Sequence, residues 1–289
     1  MATENVNPKR QPITTSFPLG HFYSPIVNNI ELEARADEIW PRELPTLLGI
    51  DFNESQQLEF LQTDIAKVLK DFDYPSAQDG LPEDQFFLAN GLFSGLDAVA
   101  LFAMLRKLKP KRMIEVGSGF SSLLTADVNR RFLDGQLTFT CIEPFPRPFL
   151  KEKIAGLHQV IESKVEQIDL EFFDQLEGGD ILFIDSSHVA KTGSDVNYLY
   201  FNILPRLKAG VFIHIHDIFF PRDYPREWVI KHNRSWNEQY VLRALLMFSS
   251  AFRVVFGCAY MHYVFPAQVK QRFDGQLLGG GSFWMQKTI

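Results

Sequence analysis

The chain is predicted to fold as an α/β protein, a mostly parallel seven-stranded sheet with helices on both faces, and three observations predict it. Short apolar segments alternate with helix-patterned ones from residue 112 onward, at 112–116, 137–143, 158–162, 180–185, 211–217, 252–262 and 282–288. The segment "ILFID" is apolar almost throughout, and "VFIHIHD" nearly so, as strands buried on both faces read. The last two segments flank a glycine-rich connection at Gly279 to Gly281, which predicts an antiparallel pair closing one edge of the sheet.

Ahead of the alternating region, residues 1–75 read as a polar arm followed by a helical extension, and residues 76–289 as the main domain. The opening "MATENVNPKRQPITTSF" carries Pro8, Pro12 and Pro18 and lacks the apolar run of a secretory signal. In "DFNESQQLEFLQTDIAKVLKDF", Leu58, Leu61, Ile65, Val68 and Leu69 recur at helical spacing. "GLFSGLDAVALFAMLRKLKP" reads as a second helix, stopped by Pro110 just before the first strand.

Composition narrows the class of partner. The 289 residues are 46% hydrophobic and 22% charged, and no apolar stretch approaches the roughly 20 residues that span a bilayer, so no membrane partner is expected. A formal charge of -6, with no basic run beyond "KLKPKR", gives no footing for a nucleic-acid backbone. Cys141 and Cys258 each sit inside an apolar segment, which suits reduced core thiols in a cytoplasmic protein.

The candidate ligand turn is "RMIEVGSGFSSLLTADV". Gly117 and Gly119 follow the first strand and open a helix, where backbone can approach a ligand and unpaired N–H groups face it. A dinucleotide fingerprint would need Gly or Ala where this chain has Ser122, so that reading fails. Glu143, ending the second strand, is placed to hold the two hydroxyls of a ribose. Glu115, two residues before the first glycine, can accept from loop amides and help hold a cationic amino-acid moiety. The stretch Glu115-Val-Gly117-Ser118-Gly119-Phe-Ser121 resembles the first motif of class I S-adenosylmethionine-dependent methyltransferases, and Glu143 resembles their ribose-binding acid. The resemblance implies a Rossmann-like sheet with an antiparallel last strand, and S-adenosylmethionine as cofactor. Asn90 and Phe93, in "DQFFLANGLFSGLDA", would cover that cofactor from the other side, as the corresponding helix does in similar enzymes.

Two further strand ends carry polar residues. "LFIDSSH" ends in Asp185 and His188, and "VFIHIHD" in His216 and Asp217, so neighbouring parallel strands would bring carboxylates and imidazoles together as candidate ligands of a divalent cation. "GDILFIDSSHV" followed by "LKAGVFIHIHDI", with the terminal "GGGSFWMQK", resembles the metal-dependent small-molecule O-methyltransferases related to catechol and macrolide-sugar methyltransferases. Carried over by position, Asp185, His216 and Asp217 would hold the metal and His188 would be the general base. A histidine at 216, where that group often has an acid, opens manganese or iron beside magnesium. His214 reads as a satisfied core histidine, and Asp195 as support for a helix N-terminus.

After the fifth strand, an insertion at about 218–240 is dense in aromatics. Phe219, Phe220, Tyr224, Trp228 and Trp236 are candidates to line an acceptor pocket under a closing loop. The expected activity is methyl transfer to a hydroxyl of a small molecule, a sugar or polyhydroxylated natural product, with a homo-oligomer left open. Two alternatives stay open at this stage: other metal chemistry on the same fold, and a scaffold that binds cofactor without turnover.

Overall fold

The computed structural model describes residues 14–289, so Pro8 and Pro12 of the expected arm lie outside the described residues. Seven strands form one sheet: β1 (Arg112–Val116), β2 (Thr138–Ile142), β3 (Gln159–Ile161), β4 (Ile181–Ile184), β5 (Phe212–Ile215), β6 (Phe252–Gly257) and β7 (Phe283–Lys287). Their order is β3-β2-β1-β4-β5-β7-β6. β1 pairs in parallel with β2 and β4, and β7 runs antiparallel to both β5 and β6. The order reverses between β1 and β4, so a crevice opens at their carboxyl ends.

Alternation along each strand sends side chains to two cores. Met113, Phe139, Cys141 and Phe183 pack on one face with the helices Gly95–Leu108 and Phe120–Phe132. Ile114, Val116, Leu182, Ile184 and Ile213 pack on the other with Val196, Leu199 and Ile203. Burial on both faces is why the central strands read as unbroken apolar runs. Both cysteines are free and buried. No helix among the described residues is long and apolar enough to cross a membrane.

The described residues divide into two compact units, 14–41 with 225–235, and 42–224 with 236–289. The boundary expected near residue 75 falls inside the second unit, because the helical run over 54–71 delivers Phe60, Leu61 and Ile65 to the core above Met113. In the smaller unit, Asn28 caps the helix Asn29–Ala34 by accepting from the N–H groups of Ile30 and Glu31, and Arg226 pairs with Glu33. Trp228 belongs to this unit, whereas Phe219, Phe220, Tyr224 and Trp236 belong to the larger one.

One expected strand is corrected. The run 252–262 splits, with β6 ending at Gly257 and Cys258–Val264 forming a helix. A Cβ at Gly257 would lie 3.2 Å from Tyr260 and 3.3 Å from Phe283, so the chain turns where no side chain is in the way. A continuous apolar run fits a buried helix as well as a buried strand, so periodicity could not separate them.

Candidate active site

The glycine turn is tied to both neighbouring strands. Gly117 donates to the Ile142 carbonyl at 3.0 Å, and Asp185 donates to the Val116 carbonyl at 2.8 Å. Gly117 has φ +78°, and a Cβ there would fall 1.8 Å from the Asp185 carbonyl oxygen, so only glycine fits. Gly119 donates to Ser122 Oγ at 3.0 Å as the helix Phe120–Phe132 begins.

Glu115 acts one layer below the position the sequence suggested. It is fully buried and accepts from Ser121 Oγ at 2.5 Å and Ser122 Oγ at 2.8 Å, so it holds the start of the helix and does not face the crevice. Burial pushes its pKa up to about 7 against the three hydrogen bonds it receives, the third from Cys141. Ser121 is turned inward by the same contact. Glu143 stands at the crevice, where its carboxylate accepts from the N–H groups of Ser118 at 3.2 Å and Phe145 at 2.8 Å.

Between these strand ends lies a cavity of about 390 Å3, walled by Gly117, Ile142, Glu143, Val165, Asp185 and Ser186 among others. Ser186 Oγ on its wall and Ser118 Oγ in the turn are buried without a hydrogen-bond partner. Orphaned hydroxyls beside an acid and a glycine turn fit a polar ligand such as a nucleoside. Asn90 and Phe93 do not reach this cavity. The Asn90 amide closes its own loop through Phe87, Leu92 and Phe93, while the Phe93 ring packs 5.4 Å from His216 and 6.0 Å from Phe183.

Beside the cavity, Asp185, His188 and Asp217 converge, with one donor atom from each lying within 4.8 Å of the others. His188 Nε2 is 3.4 Å from Asp185 Oδ1 and 3.4 Å from Asp217 Oδ2. Its other nitrogen, Nδ1, lies 2.9 Å from Oε2 of Glu238, a carboxylate with no exposed surface. Burial alone would lower the His188 pKa, but the bonds to Asp185 and Glu238 overcome it and hold the imidazole up to about 10. Burial likewise works against the Asp185 charge, and His216 and His188 outweigh it, drawing that carboxyl down to about 2. For Asp217 burial wins and its pKa rises.

The loop that presents His188 is fixed at both ends. Asp195 accepts from the Ser187 N–H at 2.8 Å and from its hydroxyl at 2.6 Å. Asn237 and Glu238 donate their backbone N–H groups to the His188 carbonyl at 3.0 and 3.2 Å, and the Trp236 ring packs 4.4 Å from the imidazole. His188 and Asp217 both adopt left-handed backbone, at φ +61° and +57°.

His216, expected as a ligand, stands outside the convergent set. Its Nε2 is 3.7 Å from Asp217 Oδ1, and its Nδ1 turns to Ser282 Oγ at 3.5 Å. His214 is a core histidine, stacked on Phe183 at 3.6 Å and bonded to the Ser282 hydroxyl at 2.9 Å. Two carboxylates and one imidazole are a donor set that suits a divalent cation, so the residues present fit such an ion.

Two supports were not read from sequence. Glu238, in "SWNEQY", carries no motif signal. Asp97 accepts from the N–H groups of Gly281 at 3.0 Å and Ser282 at 2.7 Å, and so draws the three-glycine connection against Asp217. A Cβ at Gly281 would lie 2.9 Å from Asp217 Cα, which accounts for glycine there. Of the aromatic candidates, Phe220 and Tyr224 are buried packing residues, and Trp236 packs against the His188 ring.

Residues 114–218 match the family model described as a methyltransferase domain. An uncharacterized protein of Archaeoglobus fulgidus is 39% identical over 164 residues, covering 56% of this chain and 74% of that relative. Residues 114–218 of the chain are thus a methyltransferase domain. The matched segment runs from β1 through β5 and includes the glycine turn, Glu143, Asp185, His188 and Asp217. Among solved structures, SAH-bound PaMTH1 of Podospora anserina is 17% identical with a TM-score of 0.44, covering 96% of this chain and 100% of that one. The O-methyltransferase TomG of Streptomyces achromogenes is 14% identical with a TM-score of 0.42, covering 90% and 96%.

Proposed function

We propose that this methyltransferase transfers the methyl group of S-adenosylmethionine to a hydroxyl of a small, polyhydroxylated molecule, with a divalent cation at the Asp185–Asp217 cluster. The observation that carries the reading is the double placement of Asp185, which lines the nucleoside-sized cavity and belongs to the convergent carboxylate–imidazole set. Cofactor and acceptor sites therefore meet at one residue.

Glu143 keeps free lone pairs beyond its two backbone bonds and can accept from ribose hydroxyls. The turn at Gly117–Gly119 lets the cofactor come close to backbone, while Ser186 Oγ offers an unused hydroxyl on the cavity wall. Methyl transfer from a sulfonium needs an oxygen nucleophile held in line with the breaking bond, so positioning and exclusion of water are the enzyme's main tasks. Asp185 and Asp217 would hold the cation, whose chemistry is to lower the pKa of an acceptor hydroxyl and orient it. Trp236, packed on His188, would shield the acceptor side from water.

Calorimetric titration with S-adenosylhomocysteine, followed by methyl transfer from S-adenosylmethionine to a panel of sugars and polyhydroxylated aromatics, tests the reading. Binding with cation-dependent turnover is expected. Failure of S-adenosylhomocysteine to bind overturns it, and binding without turnover on the panel, with or without cation, favours a cofactor-holding scaffold.

A further inference from the structure

We propose that His188 is a metal ligand, completing a three-residue face with Asp185 and Asp217, and that Glu238 is its positioning residue. The inference rests on the reading above for its purpose, and on geometry for its residues. It moves to His188 the ligand place that sequence order suggested for His216.

Three observations carry it. The donor atoms that converge are those of Asp185, His188 and Asp217, and the Nε2 of His188 is equidistant, at 3.4 Å, from one oxygen of each aspartate. An imidazole so placed, with 5% of its residue surface exposed, points its Nε2 into the gap between two carboxylates. His216 lies beside the set, with its nearer ring contacts to Ser282, Phe93 and the far oxygen of Asp217.

The rear nitrogen supplies the second line of argument. Glu238 is fully buried, and its Oε2 meets Nδ1 at 2.9 Å, while Oε1 has no hydrogen-bond partner. A carboxylate on the non-ligating nitrogen of a histidine is the arrangement that fixes the ring and its tautomer and strengthens Nε2 as a metal ligand. The contact is reinforced in the backbone, since Asn237 and Glu238 donate to the His188 carbonyl, and the Asn237 side chain receives the Ala190 N–H at 2.6 Å. Glu238 is thus clamped behind the imidazole whose Nε2 lies between the two aspartates.

The donor set makes a chemical prediction. Two hard oxygens and one imidazole nitrogen favour borderline ions such as manganese or iron over magnesium, which prefers oxygen and water. With an ion bound, Nε2 is occupied, so the general-base part suggested for His188 is closed to it.

The test is a Mn2+ titration of chelator-stripped full-length protein, with electron spin echo detection of nitrogen directly bound to Mn2+. Wild-type protein is expected to bind one Mn2+ with a histidine nitrogen signal, and to bind it more tightly than Mg2+. His216→Gln should keep that signal, and His188→Gln should lose it together with at least tenfold in affinity. Glu238→Gln should keep the signal and weaken binding by about 10- to 100-fold. Absence of Mn2+ binding, absence of a nitrogen signal, or a signal lost in His216→Gln and kept in His188→Gln overturns the assignment. S-Adenosylhomocysteine titrated into the same samples reports whether each variant is folded. It also separates the two readings: nucleoside binding without nitrogen-bound Mn2+ sinks only the metal assignment, and the converse sinks only methyl transfer.

Discussion

Gly117 and Asp185 meet so closely that the Cβ of any other residue at 117 would fall 1.8 Å from the Asp185 carbonyl oxygen. The contact joins the carboxyl end of β1 to that of β4, so the turn and the polar cluster share one backbone seam. Gly117→Ala is expected to push the two strand ends apart and to meet the added strain of φ +78°. Loss of S-adenosylhomocysteine binding in calorimetry, with unfolding free energy lowered by about 2 kcal/mol or more, is the expected outcome. A variant that binds as the parent does would show that the seam tolerates separation.

Glu143 is the acid at the cavity whose removal should register on cofactor affinity with little effect elsewhere. Charge-assisted hydrogen bonds contribute about 1.5–3 kcal/mol each, so Glu143→Ala should weaken S-adenosylhomocysteine by about 10- to 100-fold. Glu143→Gln keeps an acceptor for the Ser118 or Phe145 amide and should lose less. Adenine alone, which has no ribose, should bind both variants as it binds the parent. A comparable loss for adenine would assign Glu143 to the loop and not to the sugar.

The fold was largely legible because its signals are periodic. Central strands buried on both faces leave unbroken apolar runs, and a glycine turn marks the first strand end, so β1 to β5 fall within a residue or two of their expected limits. Side-chain direction is a different matter. Glu115 is fully buried, and its two oxygens are taken by Ser121 and Ser122. Which of His188 and His216 faces the aspartates depends on a left-handed residue at 188 and on Glu238 fifty positions on, and no spacing rule contains either. Asn90 and Phe93, expected at the cofactor from family likeness, stand in a local amide loop and against Phe183, contacts that no sequence pattern announces.

Asp97 should matter to both stability and the site. It accepts from two buried N–H groups, at Gly281 and Ser282, and a Cβ at Gly280 would lie 2.1 Å from its Oδ1. Asp97→Ala leaves both donors without a partner, at about 1–3 kcal/mol each. Urea unfolding is expected to shift by about 2–5 kcal/mol in total. The same variant frees the connection that packs on Asp217, so Mn2+ affinity should fall more than S-adenosylhomocysteine affinity. Equal losses would mean a general loosening of the fold.

Glu115 gives a pH dependence whose sign is fixed. Its folded pKa of about 7 lies above the ordinary 4.5, chiefly because burial disfavours the carboxylate. Between those values the unfolded chain has released the proton and the native protein still holds it, so stability falls as pH rises. This contribution is complete below pH 4.5 and lost as pH passes through about 7. The full swing is on the order of 3 kcal/mol, at about 1.36 kcal/mol per pKa unit. Glu115→Gln cannot ionise and still offers an oxygen to one serine hydroxyl, so its urea stability should lack this slope between pH 5 and pH 8 (about one titration range around the folded value). The gap between parent and variant should therefore move in favour of the variant with rising pH. A gap that stays constant across the range would mean that the Ser121 and Ser122 hydroxyls stabilise the carboxylate well enough to cancel its burial.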